Sequence, residues 1–179
     1  MSLHKVFITG GPASGKTTLA PRIAAALNLP AVELDALLLN SEARGESFIE
    51  GSNKVVSEIL VMDSWIAEGA FLGWVDPLLR DAEMILWMDI PWRVASYRII
   101  SRHVKATLAR NNRFPGWRRL YRFWSWSRRY YKDQNPTGYN SYGLPNTKST
   151  AAKQLAPYDG KLVMCRTRTQ AEHIVAERN

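Results

Sequence analysis

KVFITGGPASGKTTLA, running from Lys5 to Ala20, is the stretch on which the reading of the whole chain turns. Its first five residues are a β-branched and aromatic run that stops at Gly10-Gly11-Pro12, as a buried strand does on entering a tight loop. From Gly15 onward the apolar positions Leu19, Ile23, Ala26 and Leu27 fall on one helical face, and Asn28 with Pro30 closes that helix. Between them, Gly10–Thr17 satisfies G-x-x-x-x-G-K-[ST], flanked by the strand and helix that the pattern requires. With Gly at about 7% of residues, those four positions match by chance in roughly one chain of this length in a couple of hundred.

The chemistry of such a loop follows from its backbone. Gly10, Gly11, Pro12, Ala13, Ser14 and Gly15 curl so that successive N–H groups converge on phosphate oxygens, at a helix N-terminus whose dipole favours anions. The Lys16 ammonium is expected to reach the β- and γ-phosphates of a nucleoside triphosphate, and the Thr17 hydroxyl to ligate Mg²⁺. Ser14 and Thr18 can donate further hydrogen bonds. ATP and Mg²⁺ are therefore the expected cofactors, with Thr17 the metal ligand.

Outward from this loop, strands and helices alternate. Ala31–Leu34 reads as a second strand with Asp35 at its end, Asn40–Phe48 as polar loop, and Ser52–Met62 as a helix. Trp65–Glu68 ended by Gly69 reads as a third strand, and the almost wholly apolar Glu83–Ile90 as a fourth, covered on both faces. Pro91 opens a helix to about Ala109; Asn111–Gly116 breaks it before a second helix near Trp117–Lys132. Gln134–Thr150 reads as an exposed connection, Lys161–Cys165 as a fifth strand and Thr169–Arg178 as a last helix. This order predicts a mostly parallel α/β sheet with ligands at the C-terminal strand ends.

The 179 residues fit one compact domain, 1–179, with ordinary globular proportions of 46% hydrophobic and 22% charged residues. No apolar run approaches the ~20 residues of a bilayer span, and Met1–Gly10 lacks a signal peptide's features, so a cytoplasmic chain with no membrane partner is expected. The lone Cys165 reads as a buried strand residue and cannot form an intrachain disulfide, which fits a reducing compartment. No feature assigns an oligomeric state.

The net charge of +8 is concentrated: residues 90–132 hold twelve Lys or Arg, no Asp or Glu, and ten of the nineteen aromatic residues. Two readings compete for this segment. In the preferred one, Trp117, Leu120, Tyr121, Trp124 and Tyr131 recur at helical spacing and pack on the body, while Arg98 and Arg102, one turn apart, close over the triphosphate as a lid and neutralise charge during transfer. In the other, interleaved arginines and aromatics form a surface for single-stranded nucleic acid. At the strand ends, Asp35 and Glu68-Gly69 can orient an acceptor, hold Mg²⁺ through water or take a proton from a hydroxyl, with Asp35 the first candidate for a general base. For Asp35 the alternative of capping the following helix stays open.

The succession GGPASGKTTLA, LPAVELDAL, WIAEGAF, ILWMDIPW with YRIISR, and VMCRTRTQAE resembles the adenylate-kinase-like P-loop proteins known as DNA topology modulation proteins, over roughly residues 4–110 and 160–178. That resemblance implies a three-layer P-loop NTPase fold, nucleoside-monophosphate-kinase-like, with a five-stranded parallel sheet in the order 2-3-1-4-5. It implies that residues 36–62 with Asp35, Glu68 and Gly69 meet the acceptor, that Arg98 and Arg102 belong to a helical lid within 98–132, and that Arg166 flanks the adenine. Such proteins commonly carry Asp-Gly-Asn-aromatic after the third strand, where this chain has Glu68-Gly69-Ala70-Phe71. The expected activity is an ATP-dependent kinase moving the γ-phosphoryl group to a small acceptor, a nucleotide or nucleoside ahead of a sugar or other alcohol. The alternative is a nucleotide-regulated nucleic-acid-binding protein.

Overall fold

A computed structural model describes residues 3–70, 72–112, 115–133 and 147–178. Five parallel strands, β1 (Lys5–Gly10), β2 (Ala31–Glu33), β3 (Trp65–Gly69), β4 (Met84–Met88) and β5 (Leu162–Cys165), form one sheet in the order β2-β3-β1-β4-β5. The fold is thus the P-loop nucleoside-monophosphate-kinase-like one. Along β1 the side chains alternate between two cores, because successive residues of a strand point to opposite faces. Phe7 joins Leu34, Val55, Ile59 and Trp65 on one side; Val6 and Ile8 join Leu19, Ile23 and Met84 on the other. β3 and β4 are buried throughout, which is why their sequences are nearly continuously apolar.

Helices cover both faces. α1 (Lys16–Leu27) and α8 (Arg168–Arg178) supply Leu19, Ile23, Ala171 and Val175 to one core. α2 (Leu34–Ala43), α3 (Phe48–Leu60), α4 (Asp76–Asp81) and α7 (Lys148–Leu155) supply Leu34, Val55, Leu78 and Leu155 to the other. α1 ends where Asn28 enters the left-handed region at φ 56°, as the Asn28-Leu29-Pro30 stop predicts. α5 (Trp92–Leu108) and α6 (Trp117–Lys132) form an antiparallel hairpin, tied by the Trp124 indole donating to Ser96 Oγ at 2.7 Å and by a His103–Trp117 ring contact. Among the described residues no helix is long and apolar enough to cross a membrane.

Three local differences from the sequence reading have physical causes. The expected loop Asn40–Phe48 is shorter, because α2 runs to Ala43 and a reciprocal capping box between Ser47 and Glu50 starts α3 at Phe48, four residues before the expected Ser52. α4, with Pro77 in its first turn, lies in a stretch too short to show a period. Within Gln134–Thr150, residues 134–146 lie outside the described residues, and Lys148 already opens α7.

Candidate active site

The β1–α1 loop is built for close backbone approach. Gly15 is left-handed at φ 99°, Ala13 at φ 58°, and α1 begins with no side chain capping its N-terminus, so its first N–H groups face the loop's hollow. Lys16 is 8% exposed and Ser14 1% exposed, and Ser14 Oγ has no hydrogen-bond partner. A Cβ at Gly10 would lie 2.8 Å from both the Met88 carbonyl and Ser14 Oγ, so no larger residue fits there.

The helical hairpin holds this loop along one side. Arg98 Nη1 donates to the carbonyls of Ala13 at 3.2 Å and Ser14 at 2.8 Å, and the Tyr131 hydroxyl donates to the Pro12 carbonyl at 2.8 Å. Tyr130 packs on Gly11 so closely that a Cβ there would overlap its ring. Burial pushes both phenols above their usual range, and Tyr131 stays protonated as the donor to Pro12. Three consecutive loop carbonyls are thereby turned toward the hairpin, and a left-handed Ala13, unfavourable by about 1–2 kcal/mol in isolation, is held in place. The base of the hairpin is therefore fixed to the loop, and Trp92 packs against both Trp124 and Tyr131 there.

The far end of α6 behaves differently. Trp117 and Tyr121, expected to pack on the body, are 69% and 67% exposed. Helical spacing places them on the same stripe as Trp124, but there Trp117 meets the His103 ring of α5 and Tyr121 the neighbouring Trp124 ring, and both stay largely exposed while the C-terminal half of α6 packs on the phosphate loop.

The acidic residues converge from two elements. β2 ends at Glu33, so Asp35 lies in the first turn of α2 instead of at the strand end. It caps nothing: its carboxylate accepts the Ala70 N–H, joining α2 to the segment after β3. Burial pushes the Asp35 carboxyl up, opposed by the Lys16 ammonium and that N–H. Glu68, on β3, is 2% exposed; burial raises its carboxyl also, opposed by Lys16 and by a hydrogen bond from the Thr17 hydroxyl. Asp35 and Glu33 push it further up. Asp35 Oδ1 and Glu68 Oε2 are buried without a hydrogen-bond partner. Thr17, Glu68 and Asp35 thus offer hard oxygens beside one ammonium, a donor set that fits Mg²⁺, and the curled loop with its unpartnered Ser14 fits a polyphosphate. No group of three or more His, Cys, Asp or Glu side chains among the described residues forms a metal cage. Asp89, at the end of β4, is instead engaged by Lys148 at 2.7 Å.

A cleft of about 1020 Å³ opens over the loop. Its walls bring together Pro12–Thr18, Asp35, Arg98 and Arg102, while Gly10 and Gly11 lie beneath and Glu68 and Gly69 are buried behind. Arg166 is exposed after β5 and does not line the cleft; Thr167, Arg168 and Thr169 do. Lys105, Phe123 and Trp126 also line it, and only the geometry of the hairpin reveals them. The run of basic and aromatic residues was the sole sequence signal for those three.

No family model matches the chain, and no curated protein matches it. Solved structures share the fold. A shikimate kinase from Acinetobacter baumannii in complex with shikimate aligns at 14% identity and TM-score 0.54, covering 97% of this chain and 91% of that one. A shikimate kinase from Bacteroides thetaiotaomicron aligns at 15% identity and TM-score 0.50, covering 93% and 88%. A gluconokinase from Sinorhizobium meliloti 1021 aligns at 17% identity and TM-score 0.44 over 55% of this chain, which spans 65% of that protein's length. The chain has the P-loop fold of small-molecule kinases.

Proposed function

We propose that the chain is an ATP-dependent small-molecule kinase that moves the γ-phosphoryl group to an acceptor held among Asp35, Glu68, Gly69 and Arg102. One observation carries this reading: three buried oxygens, Ser14 Oγ, Asp35 Oδ1 and Glu68 Oε2, lack partners while Lys16 and Thr17 stand beside them. Unpartnered buried polar atoms are costly and are retained where a ligand completes them.

Lys16 contributes a charge for the β- and γ-phosphates at the point where the loop's N–H groups converge. Mg²⁺, held through Thr17 and Glu68, would neutralise phosphate charge when bound. Asp35, with a carboxyl raised by burial, accepts the proton of an acceptor hydroxyl more readily than an ordinary carboxylate. Arg102, exposed on α5 one turn beyond Arg98, supplies charge to the moving group, whereas Arg98, also on the cleft wall, maintains the loop through the Ala13 and Ser14 carbonyls. Residues 36–62 face the acceptor, 98–132 form the basic lid, and Thr167–Thr169 on the cleft wall flank the base in place of the exposed Arg166, all within one domain.

That a solved structure of the same fold is in complex with shikimate supports keeping hydroxyl acceptors beside nucleotides and nucleosides among the candidates. The test is a screen of nucleoside monophosphates, nucleosides and small hydroxylated acids for acceptor-dependent ADP production. Turnover on one class supports the reading, and no turnover on any class removes it.

A second reading, nucleic-acid binding along residues 90–132, is favoured by the exposed Trp117 and Tyr121 beside Arg118 and Arg122. It predicts oligonucleotide affinity that falls steeply with salt. No binding at low ionic strength would remove it.

A further inference from the structure

A second pocket, about 730 Å³, opens between α5 and α6. None of the loop residues 10–18 lines it, so it is distinct from the phosphate cleft, although Arg102, Ala106, Asn111 and Phe123 belong to the walls of both. Its apolar surface comes from Ile99, Leu120 and Phe123. Arg102, Arg119 and Arg122 stand at this surface, and none of the three forms an ion pair among the described residues. No acid occurs anywhere in residues 90–132 to neutralise them. A cavity of this size, apolar within and ringed by convergent polar groups, has the form of a small-ligand site and not of a packing gap.

We propose that this pocket binds a second small ligand, an anion carrying a flat apolar body, distinct from the donor nucleotide. The apolar part would lie on Leu120 and Phe123. A phosphate or carboxylate would be gripped by Arg119 and Arg122, whose planar donor forks suit both groups. Arg102, on the wall shared with the cleft, places such a ligand next to the transferring phosphates and couples the two sites.

Phenyl phosphate serves as the probe, titrated calorimetrically against the whole chain. Saturable binding is expected, weakened at least about tenfold in the double variant Arg119→Ala/Arg122→Ala, which removes two charge-assisted hydrogen-bonding partners. Leu120→Trp, which fills the pocket, should weaken it similarly. Lys16→Ala should leave it within about twofold while lowering ATP affinity, so failure of the kinase reading and failure of this one are separable. The fold of each variant is checked by circular dichroism and by retained ATP binding in the two α6 variants. Absence of saturable binding, binding unaffected by both α6 variants, or binding lost with Lys16→Ala would each overturn the proposal.

Discussion

Replacing Gly11 by Ala tests whether α6 is clamped to the phosphate loop. Gly11 is not among the positive-φ glycines, so its backbone accepts Ala, and shortening the unfolded chain's conformational freedom would by itself stabilise by about 0.4–1 kcal/mol. Any loss must come from contact. The added Cβ overlaps the Tyr130 ring and lies 2.8 Å from Tyr131 Oη, and Tyr130, 4% exposed, has no open space to enter. Overpacking of this kind costs about 1–3 kcal/mol. Displacing α6 also forfeits the 2.8 Å Tyr131–Pro12 hydrogen bond, roughly 1 kcal/mol net. We expect Gly11→Ala to lose about 2–3 kcal/mol in urea unfolding, a melting shift of about 4–12 °C at this chain length. In the cycle with Tyr130→Ala the two losses should fall short of additivity by about 1–3 kcal/mol, since the smaller residue removes the clash. A loss below about 0.5 kcal/mol, or additivity within about 0.5 kcal/mol, would refute the clamp.

Three further outcomes follow from the same geometry. Glu68 has a folded-state carboxyl raised above its ordinary value of 4.5, so the folded chain binds more protons than the unfolded one in the window just above that value. Stability should therefore fall as pH rises from about 4.5 through the raised value, by at most about 1.4 kcal/mol per pH unit for this group. In Glu68→Gln that slope should flatten without vanishing, because Asp35 is raised in the same direction; an unchanged slope would place the proton elsewhere. Arg98→Ala should destabilise by about 1–3 kcal/mol in chemical unfolding, since two loop carbonyls lose their donor. Arg102→Ala should leave stability within about 0.5 kcal/mol while lowering kcat more than it weakens ATP binding, and the reverse kinetic pattern would make it a ground-state contact.

The strands and the loop were legible because their signals are local: a β-branched and aromatic run along Lys5–Thr9, a motif at fixed spacing, and apolar runs at Trp65 and Met84. The strand order followed from the family resemblance and agrees with the sheet. What depends on long-range placement was not legible. Asp35 reads as a strand terminus because Ala-Val-Glu-Leu suits a strand, yet Leu34 already turns into α2 and carries Asp35 to the Ala70 N–H. Tyr130 is set apart from the Trp124–Tyr131 stripe, and only the seating of α6 on Gly11 shows that it packs on the loop. Trp117 and Tyr121 satisfy the helical period and still face outward, since periodicity defines a face without saying how far along the helix a neighbour extends.

The most direct measurement of the central claim is acceptor-dependent ADP formation by the whole chain and by Lys16→Ala, with circular dichroism confirming that both are folded. The account predicts turnover with at least one small acceptor in the presence of ATP and Mg²⁺, and loss of that turnover in the variant. Turnover that survives Lys16→Ala unchanged would contradict it.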